Sequence, residues 1–129
     1  MKPIEFLDLS DVTQIHVDQI NRYGGTPEIR SAELLESAIE QPRATFGDSH
    51  LHAFPFEMAA AYLFHIVMNH PFVDGNKRTG TVAALVFLDW NGIAFEARPG
   101  ELSDLTLAVT SSTLGKREIA EFFEAHCTR

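Results

Sequence analysis

The sequence predicts an all-α domain of about six helices carrying one short β-hairpin flap, and three observations lead to that class. Apolar residues recur at three- and four-residue spacing through most of the chain. Helix breakers (Gly24-Gly25, Pro42, Pro71 and Asn91-Gly92) fall between the periodic stretches. One segment, 43–56, loses the period and carries the turn cluster Gly47-Asp48-Ser49 instead.

The first helix is read over 12–23, with Val12, Ile15, Gln19/Ile20 and Tyr23 on one side and Ser10 or Asp11 as N-cap. Gly24-Gly25 ends it, because glycine accepts the positive φ of a helix stop. The second runs over 31–41, capped by Ser31, with Leu34, Leu35, Ala38 and Ile39 inward and Pro42 closing it. Segment 43–56 follows as an exposed loop or short β-hairpin, and Pro55 breaks any helix within it. A third helix, 57–69, turns Ala60, Leu63, Phe64 and Val67 to one face. It stops before Pro71, which disfavours the α conformation in the residue ahead of it. The fourth, 76–90, is apolar nearly all round from Val82 to Leu88 and therefore reads as central. After Asn91-Gly92, residues 93–97 read as a short strand or extended turn. Helices over 103–111 and 116–126 complete the domain, the last with Ile119, Phe122, Phe123 and His126 at i, i+3, i+4 and i+7. No repeat, low-complexity tract or linker divides the 129 residues, so a single domain over 1–129 is expected.

Hydrophobic residues make up 45% of the chain, enough to build a core without disulfides, and the lone Cys127 has no internal partner. That composition suits a reducing compartment, so a cytoplasmic location is expected. The opening Met1-Lys2-Pro3 shows no cationic segment followed by an apolar one, hence no signal peptide. The longest apolar run is far too short to cross a bilayer, so no membrane role is expected. A formal net charge of −8 argues against direct nucleic-acid binding. The basic pairs Lys77-Arg78 and Lys116-Arg117 stand out on this acidic background and point to a small anionic ligand.

The stretch from His70 to Gly80 carries the chemistry. It places an imidazole, a carboxylate, an amide and two cations around the start of a helix. The first N–H groups of that helix have no intrahelical partner, and its dipole adds partial positive charge there. Lys77 and Arg78 in the first turn oppose that dipole by about 0.3–1 kcal/mol each. A bound anion would turn the unfavourable arrangement into a phosphate cradle, with Gly75 admitting it close to the backbone. Asp74 then suits a Mg²⁺ ion carried by the phosphates, and His70 suits proton abstraction near neutral pH. Phe72 is expected in the core, pinning the loop. Each residue also has a plain alternative: Asp74 as the N-cap, Asn76 as a turn residue, His70 as a partner of the preceding helix end, and Lys77 and Arg78 as solvated cations. Their joint occurrence fits those alternatives poorly. The spacing of Gly75 and Gly80 imitates a P-loop, but Thr81-Val82 stand where Lys-Ser/Thr is required and no strand precedes.

Elsewhere, His50 and His52 read as surface histidines of the flap, since no zinc spacing supports a metal site. His65 and His126 read as helix-packing residues, Ser111-Ser112-Thr113 as a cap cluster, and Trp90 and the phenylalanines as core.

His70-Pro-Phe72-x-Asp74-Gly75-Asn76-Lys77-Arg78 resembles the signature of the Fic/Doc superfamily, H-x-F-x-[DE]-[GA]-N-[GK]-R. Tyr23-Gly24-Gly25, Leu34-Leu35-Glu36-Ser37-Ala38, Pro42 and Thr45-Phe46-Gly47 are similar to its Doc (death-on-curing) branch, so the resemblance covers nearly the whole chain. It implies the Fic fold, ATP or another nucleotide with Mg²⁺, and a hydroxyl on a protein target. On that resemblance His70 is the general base and Asp74 the Mg²⁺ ligand. Gly75, Asn76, Lys77 and Arg78 bind phosphates, and Thr45, Phe46 and Gly47 belong to the flap that holds a target segment, by strand addition. Lys77 stands where adenylyl-transferring members have a second Gly, and Thr81 where they have a second Arg. Both departures match the Doc branch, toxins that phosphorylate translation elongation factor Tu, whereas Gly75 keeps the Fic form rather than the Ala common in Doc. The inhibitory motif [ST]-x-x-x-E-[GN] is missing, since no Glu-Gly or Glu-Asn pair exists, which implies a separate Phd-type antitoxin. A Doc-like protein kinase toxin is therefore the leading expectation. A Fic-type adenylyl (nucleotidyl) transferase stands beside it, and from another class a non-catalytic partner-binding module of the same fold.

Overall fold

A computed structural model describes residues 3–111 and 113–128. Met1 and Lys2, on which the expectation about the opening segment partly falls, Ser112 of the proposed cap cluster, and Arg129 lie outside the described residues. Among those described, six helices and two minimal sheets are present. Helix α1 spans Leu9–Tyr23, α2 Ala32–Glu40, α3 Phe56–Asn69, α4 Asn76–Trp90, α5 Glu101–Thr110 and α6 Lys116–His126. Strands β1 (Thr45–Phe46) and β2 (Ser49–His50) form the expected hairpin, with Thr45 opposite His50. Strand β3 (Ala94–Phe95) pairs antiparallel with β4 (Cys127–Thr128), a closure of the C-terminus that the sequence did not reveal. No described helix is long and apolar enough to cross a membrane.

Several boundaries differ for local reasons. Helix α1 begins at Leu9, because Asp8 rather than Ser10 or Asp11 is the N-cap. Its carboxylate accepts the Asp11 N–H at 3.0 Å, while the Asp11 carboxylate accepts the Asp8 N–H at 2.9 Å. These reciprocal bonds satisfy two donors at once, with Asp filling the role that Glu or Gln usually plays in a capping box. Ser31 caps α2 as expected, accepting from Leu34 N–H. Pro42 lies in a single 3₁₀ turn, Gln41–Arg43, that leads into the flap. Helix α5 starts two residues earlier than its apolar period indicates, with Gly100 in the left-handed region ahead of it.

The core is built around α3, which packs on α2, α4, α5 and α6. Its Ala59-Ala60-Ala61 run is wholly buried, together with Met58, Tyr62, Leu63 and Ile66. Those small side chains let neighbours approach from several directions, so α3 rather than α4, the helix expected to be central, is the most surrounded. Helix α4 buries one face: Asn76, Thr79, Gly80, Ala83, Ala84, Phe87 and Leu88. Gly80 sets the α3–α4 separation, since a Cβ there would stand 3.2 Å from the Leu63 carbonyl oxygen and 3.3 Å from Val67 Cγ2.

Some side chains expected in the core lie outside it. Phe46, Phe54 and Trp90 are exposed, by 83%, 46% and 45%. Phe46 lies on the two-residue strand β1, whose residues are both exposed, and Trp90 lies in the last turn of α4. Conversely His52 is not a surface residue: it is 6% exposed. The strand ends at His50, so the chain bends and turns His52 beneath the flap. There Lys116 Nζ stands 3.0 Å from Nε2 of both His52 and His65. Both rings face one ammonium and accept its protons, which ties the flap base, α3 and the start of α6 together.

Candidate active site

The segment between α3 and α4 takes its shape from its own sequence. His70 leaves helix α3 in the left-handed region, at φ 50° and ψ 54°, the only described non-glycine residue with positive φ. Pro71 closes the right-handed α conformation to His70, and the ring-bearing residue takes the left-handed one where the helix stops. Phe72 is wholly buried, as expected. Gly75 then precedes α4 at φ 82°, a conformation that costs glycine little and other residues more. Gly75 rather than Asp74 is thus the N-cap, and the plain alternative for Asp74 fails. Having no side chain, Gly75 leaves the first N–H groups of α4 without a capping acceptor.

A strip between α1 and α2, unmarked in the sequence, clamps this loop. Pro71 O accepts from the N–H groups of Arg30 and Ser31, and Glu28 O accepts from Val73 N–H. The Arg30 guanidinium donates to the carbonyls of His70 at 2.7 Å and Asn69 at 2.9 Å, satisfying the open end of α3. Asp74 is held at both ends: its Oδ2 accepts Thr26 N–H at 2.9 Å, and its backbone carbonyl accepts His16 Nε2–H at 2.8 Å. His16 lies flat on Phe72, ring centroids 3.7 Å apart and planes 7° from parallel. Burial is the main cause that lowers its pKa, partly offset by the bond to Asp74, so the ring is a neutral donor propping the loop. The sequence signal for His16 was its α1 position, one turn past buried Val12 and one before buried Ile20.

Asn76 is 4% exposed and its amide is committed to the loop. Its Oδ1 accepts Phe72 N–H at 2.9 Å, and its Nδ2 donates to Phe72 O at 2.8 Å and His70 Nδ1 at 2.8 Å. The Phe72 N–H fixes which way the amide faces, so Nδ1 of His70 must be the acceptor. The neutral ring therefore carries its proton on Nε2 in this state. Turn residue was too modest a description of Asn76, which joins both ends of the loop.

The structure brings His70, Asp74, Gly75, Asn76, Lys77 and Arg78 around one cavity of about 310 Å³, with Val67, Val73 and Thr110 completing its wall. Lys77 is exposed. Arg78 is not simply solvated: it donates to Gly24 O at 3.1 Å and lies over the Tyr23 ring, 5.3 Å from its centroid. A neutral donor ring, one carboxylate, two cations and uncapped helix N–H groups converge here. The donor set suits phosphates, and a single carboxylate beside them suits the one or two that Mg²⁺ commonly takes. Thr45, Phe46 and Gly47 do not line this cavity. They form the tip side of the hairpin, largely in solvent.

A helical domain whose α4 start gathers two cations, uncapped N–H groups and an imidazole around one cavity has the chemistry of a class of site suited to phosphates. The comparisons narrow that class. A model described as the Fic/DOC family matches residues 6–88, and the chain belongs to that family. Two relatives lie on its Doc side. "Toxin Doc" of Mycolicibacterium smegmatis is 38% identical over 93 residues, covering 72% of this chain and 69% of that one. "Protein kinase doc" of Escherichia phage P1 is 32% identical over 111 residues, covering 86% of each.

Proposed function

We propose that this chain is a Doc-type toxin that moves the terminal phosphoryl group of ATP onto a Ser or Thr hydroxyl of a protein. The observation carrying this reading is the cavity shared by His70, Asp74, Lys77, Arg78 and the uncapped start of α4. The relative whose name includes protein kinase supports phosphoryl over nucleotidyl transfer.

In this account the N–H groups of the first α4 turn, Lys77 and Arg78 hold the phosphate oxygens and offset charge as the transfer proceeds. Asp74 would hold Mg²⁺ jointly with those phosphates, the ion supplying further charge neutralisation. The target oxygen forms a bond to the γ-phosphorus, the bond to the β,γ-bridging oxygen breaks, and ADP departs. His70 takes the hydroxyl proton. Its resting tautomer sets a condition on that step: Nδ1 must release the Asn76 amide before the ring offers a lone pair. The hairpin carrying Thr45, Phe46 and Gly47 presents the target segment, with elongation factor Tu as the target and a Phd-type antitoxin as the restraining partner.

The test is label transfer in a cell lysate with Mg²⁺ and the purified chain. ATP labelled on the γ-phosphorus should mark one protein band, and ATP labelled on the α-phosphorus should mark none. Label from the α-position would make the chain a nucleotidyl transferase, and label from neither would leave a binding module.

A further inference from the structure

Helix α5 is a wall of the candidate site. Thr110 borders the phosphate cavity, and Leu102, Thr106 and Leu107 line a neighbouring one together with Lys77 and Arg78. Of its ten residues α5 buries three, Leu105, Thr106 and Val109, and a hydroxyl–hydroxyl hydrogen bond of 3.2 Å between Thr106 and Thr81 ties it to α4. Its start has no capping side chain, because Gly100 stands at the N-cap. What holds that end is the carboxylate of Glu101. One oxygen accepts the Arg98 N–H, and the other lies 2.9 Å from Nε2 of His126, in the last turn of α6.

A neutral His126 ring cannot serve both of its neighbours. Its Nδ1 lies 2.8 Å from Phe122 O, a carbonyl that can only accept. Its Nε2 faces a carboxylate that the Arg98 N–H holds below its usual pKa range, so at neutral pH that oxygen too can only accept. The two bonds need a proton on each nitrogen, and the imidazolium alone has both. When the ring loses one proton, the bond to Phe122, within its own helix, is the one that survives. Nε2 then turns a lone pair on the Glu101 oxygen, and the tie to α5 becomes a repulsion. Glu96, Arg98 and Glu101 are the charged groups sharing a cavity of about 420 Å³ with the ring. The two carboxylates favour its charge and Arg98 opposes it. Phe122 and Phe95, with ring centroids 4.1 and 6.1 Å away, are aromatic neighbours that suit a cation.

We propose that His126 is a proton-operated latch on α5: charged, it holds the start of that helix against the site, and neutral, it releases it. Histidine is the side chain whose charge changes across the neutral range, so the latch closes in mild acid and opens in mild alkali. The effect on ligand affinity rests on the phosphate reading of the seat, whereas the motion of α5 does not.

Two measurements on the full chain test it. Amide hydrogen exchange at about pH 6 and about pH 8 brackets the histidine range. Expressed as protection factors, which divide out the intrinsic rise with pH, it reads the opening of α5. Protection across residues 101–110 should fall about fivefold from the lower pH to the higher, while α3 stays constant. His126→Phe, which keeps a ring beside Phe122, should show the low value at both. Glu101→Gln, whose amide can bond either form of the ring, should show the high value at both. Protection that ignores pH in the parent chain overturns the latch, and so does an undiminished change in either variant. Calorimetric titration with Mg²⁺ and inorganic tripolyphosphate reads the effect on the site. The parent's affinity relative to Glu101→Gln should drop roughly two- to threefold from the lower pH to the higher, a ratio in which the ligand's own titration cancels. A constant ratio overturns the hold on the site. Absence of binding by both chains at both pH values sinks the phosphate seat instead, and the exchange result still decides the latch.

Discussion

Asn76 and His70 sit at opposite ends of the α3–α4 loop, yet the Asn76 amide nitrogen lies 2.8 Å from Nδ1 of the His70 ring. The same amide closes a two-way bond with the buried backbone of Phe72. One side chain thus fixes both the loop and the imidazole.

Replacing Asn76 by alanine should leave the Phe72 N–H and C=O without their partner inside the protein. An unsatisfied buried polar group costs about 1–3 kcal/mol, and we expect Asn76→Ala to lower unfolding free energy by roughly that amount in urea titration. An unchanged midpoint and slope would mean that the amide does not hold the loop.

His70→Asn is the cleaner probe of chemistry. Asparagine tolerates the left-handed backbone that His70 adopts, so the fold should survive. Removing a positioned base typically lowers rate by about 10²–10⁴. Label transfer and growth arrest should fall accordingly with the melting temperature nearly constant.

Phe46→Ser tests the hairpin. With Phe46 83% exposed, stability should move by less than about 0.5 kcal/mol. Transfer to the protein target should drop severalfold, while ATP affinity should not change. Loss of ATP affinity would place the nucleotide against the flap instead.

Stability should fall in mild acid for a definable reason. Burial, with Lys116 nearby, pushes the His65 pKa down to about 4, and burial lowers those of His52 and His16 too. For these rings the unfolded chain binds protons more readily than the folded one, so their contribution is fully present above about pH 6.5. It is lost as pH falls through the unfolded value toward the folded one. His126 runs the other way: its bonds to Phe122 O and Glu101 raise its pKa, so its contribution is present at low pH and lost as pH rises through the folded value. Three rings oppose one, and thermal melts between pH 7.5 and 4.5 should show a net decline. His65→Gln, which keeps an acceptor for Lys116, should flatten it. An identical slope in that variant would remove His65 as the cause.

The sequence was most informative where chemistry is local. His70 to Arg78 are consecutive, the breakers Pro71 and Gly75 act on their own backbone, and helix periods needed no tertiary knowledge. It was silent where contacts come from afar. Thr26, Arg30 and His16 meet the loop only once α1 and the strip before α2 fold back on it; nothing near Thr26 or Arg30 marks them, and the helical spacing of His16 marks burial but not its partner. His52 was misplaced because alternation from His50 ends with the strand. Trp90 was misplaced because a large aromatic at a helix end need not find a neighbour. The threonine pair was invisible, since Thr81 and Thr106 are 25 residues apart.

The central claim is that the uncapped start of α4 seats a nucleotide's phosphates beside His70. Titrating ATP with Mg²⁺ into isotopically labelled protein and following backbone amide resonances tests it residue by residue. The account predicts that the largest shifts fall on Gly75, Asn76, Lys77 and Arg78, with His70 ring signals moving in parallel. Saturable shifts centred on another surface, with those four amides unmoved, would contradict it.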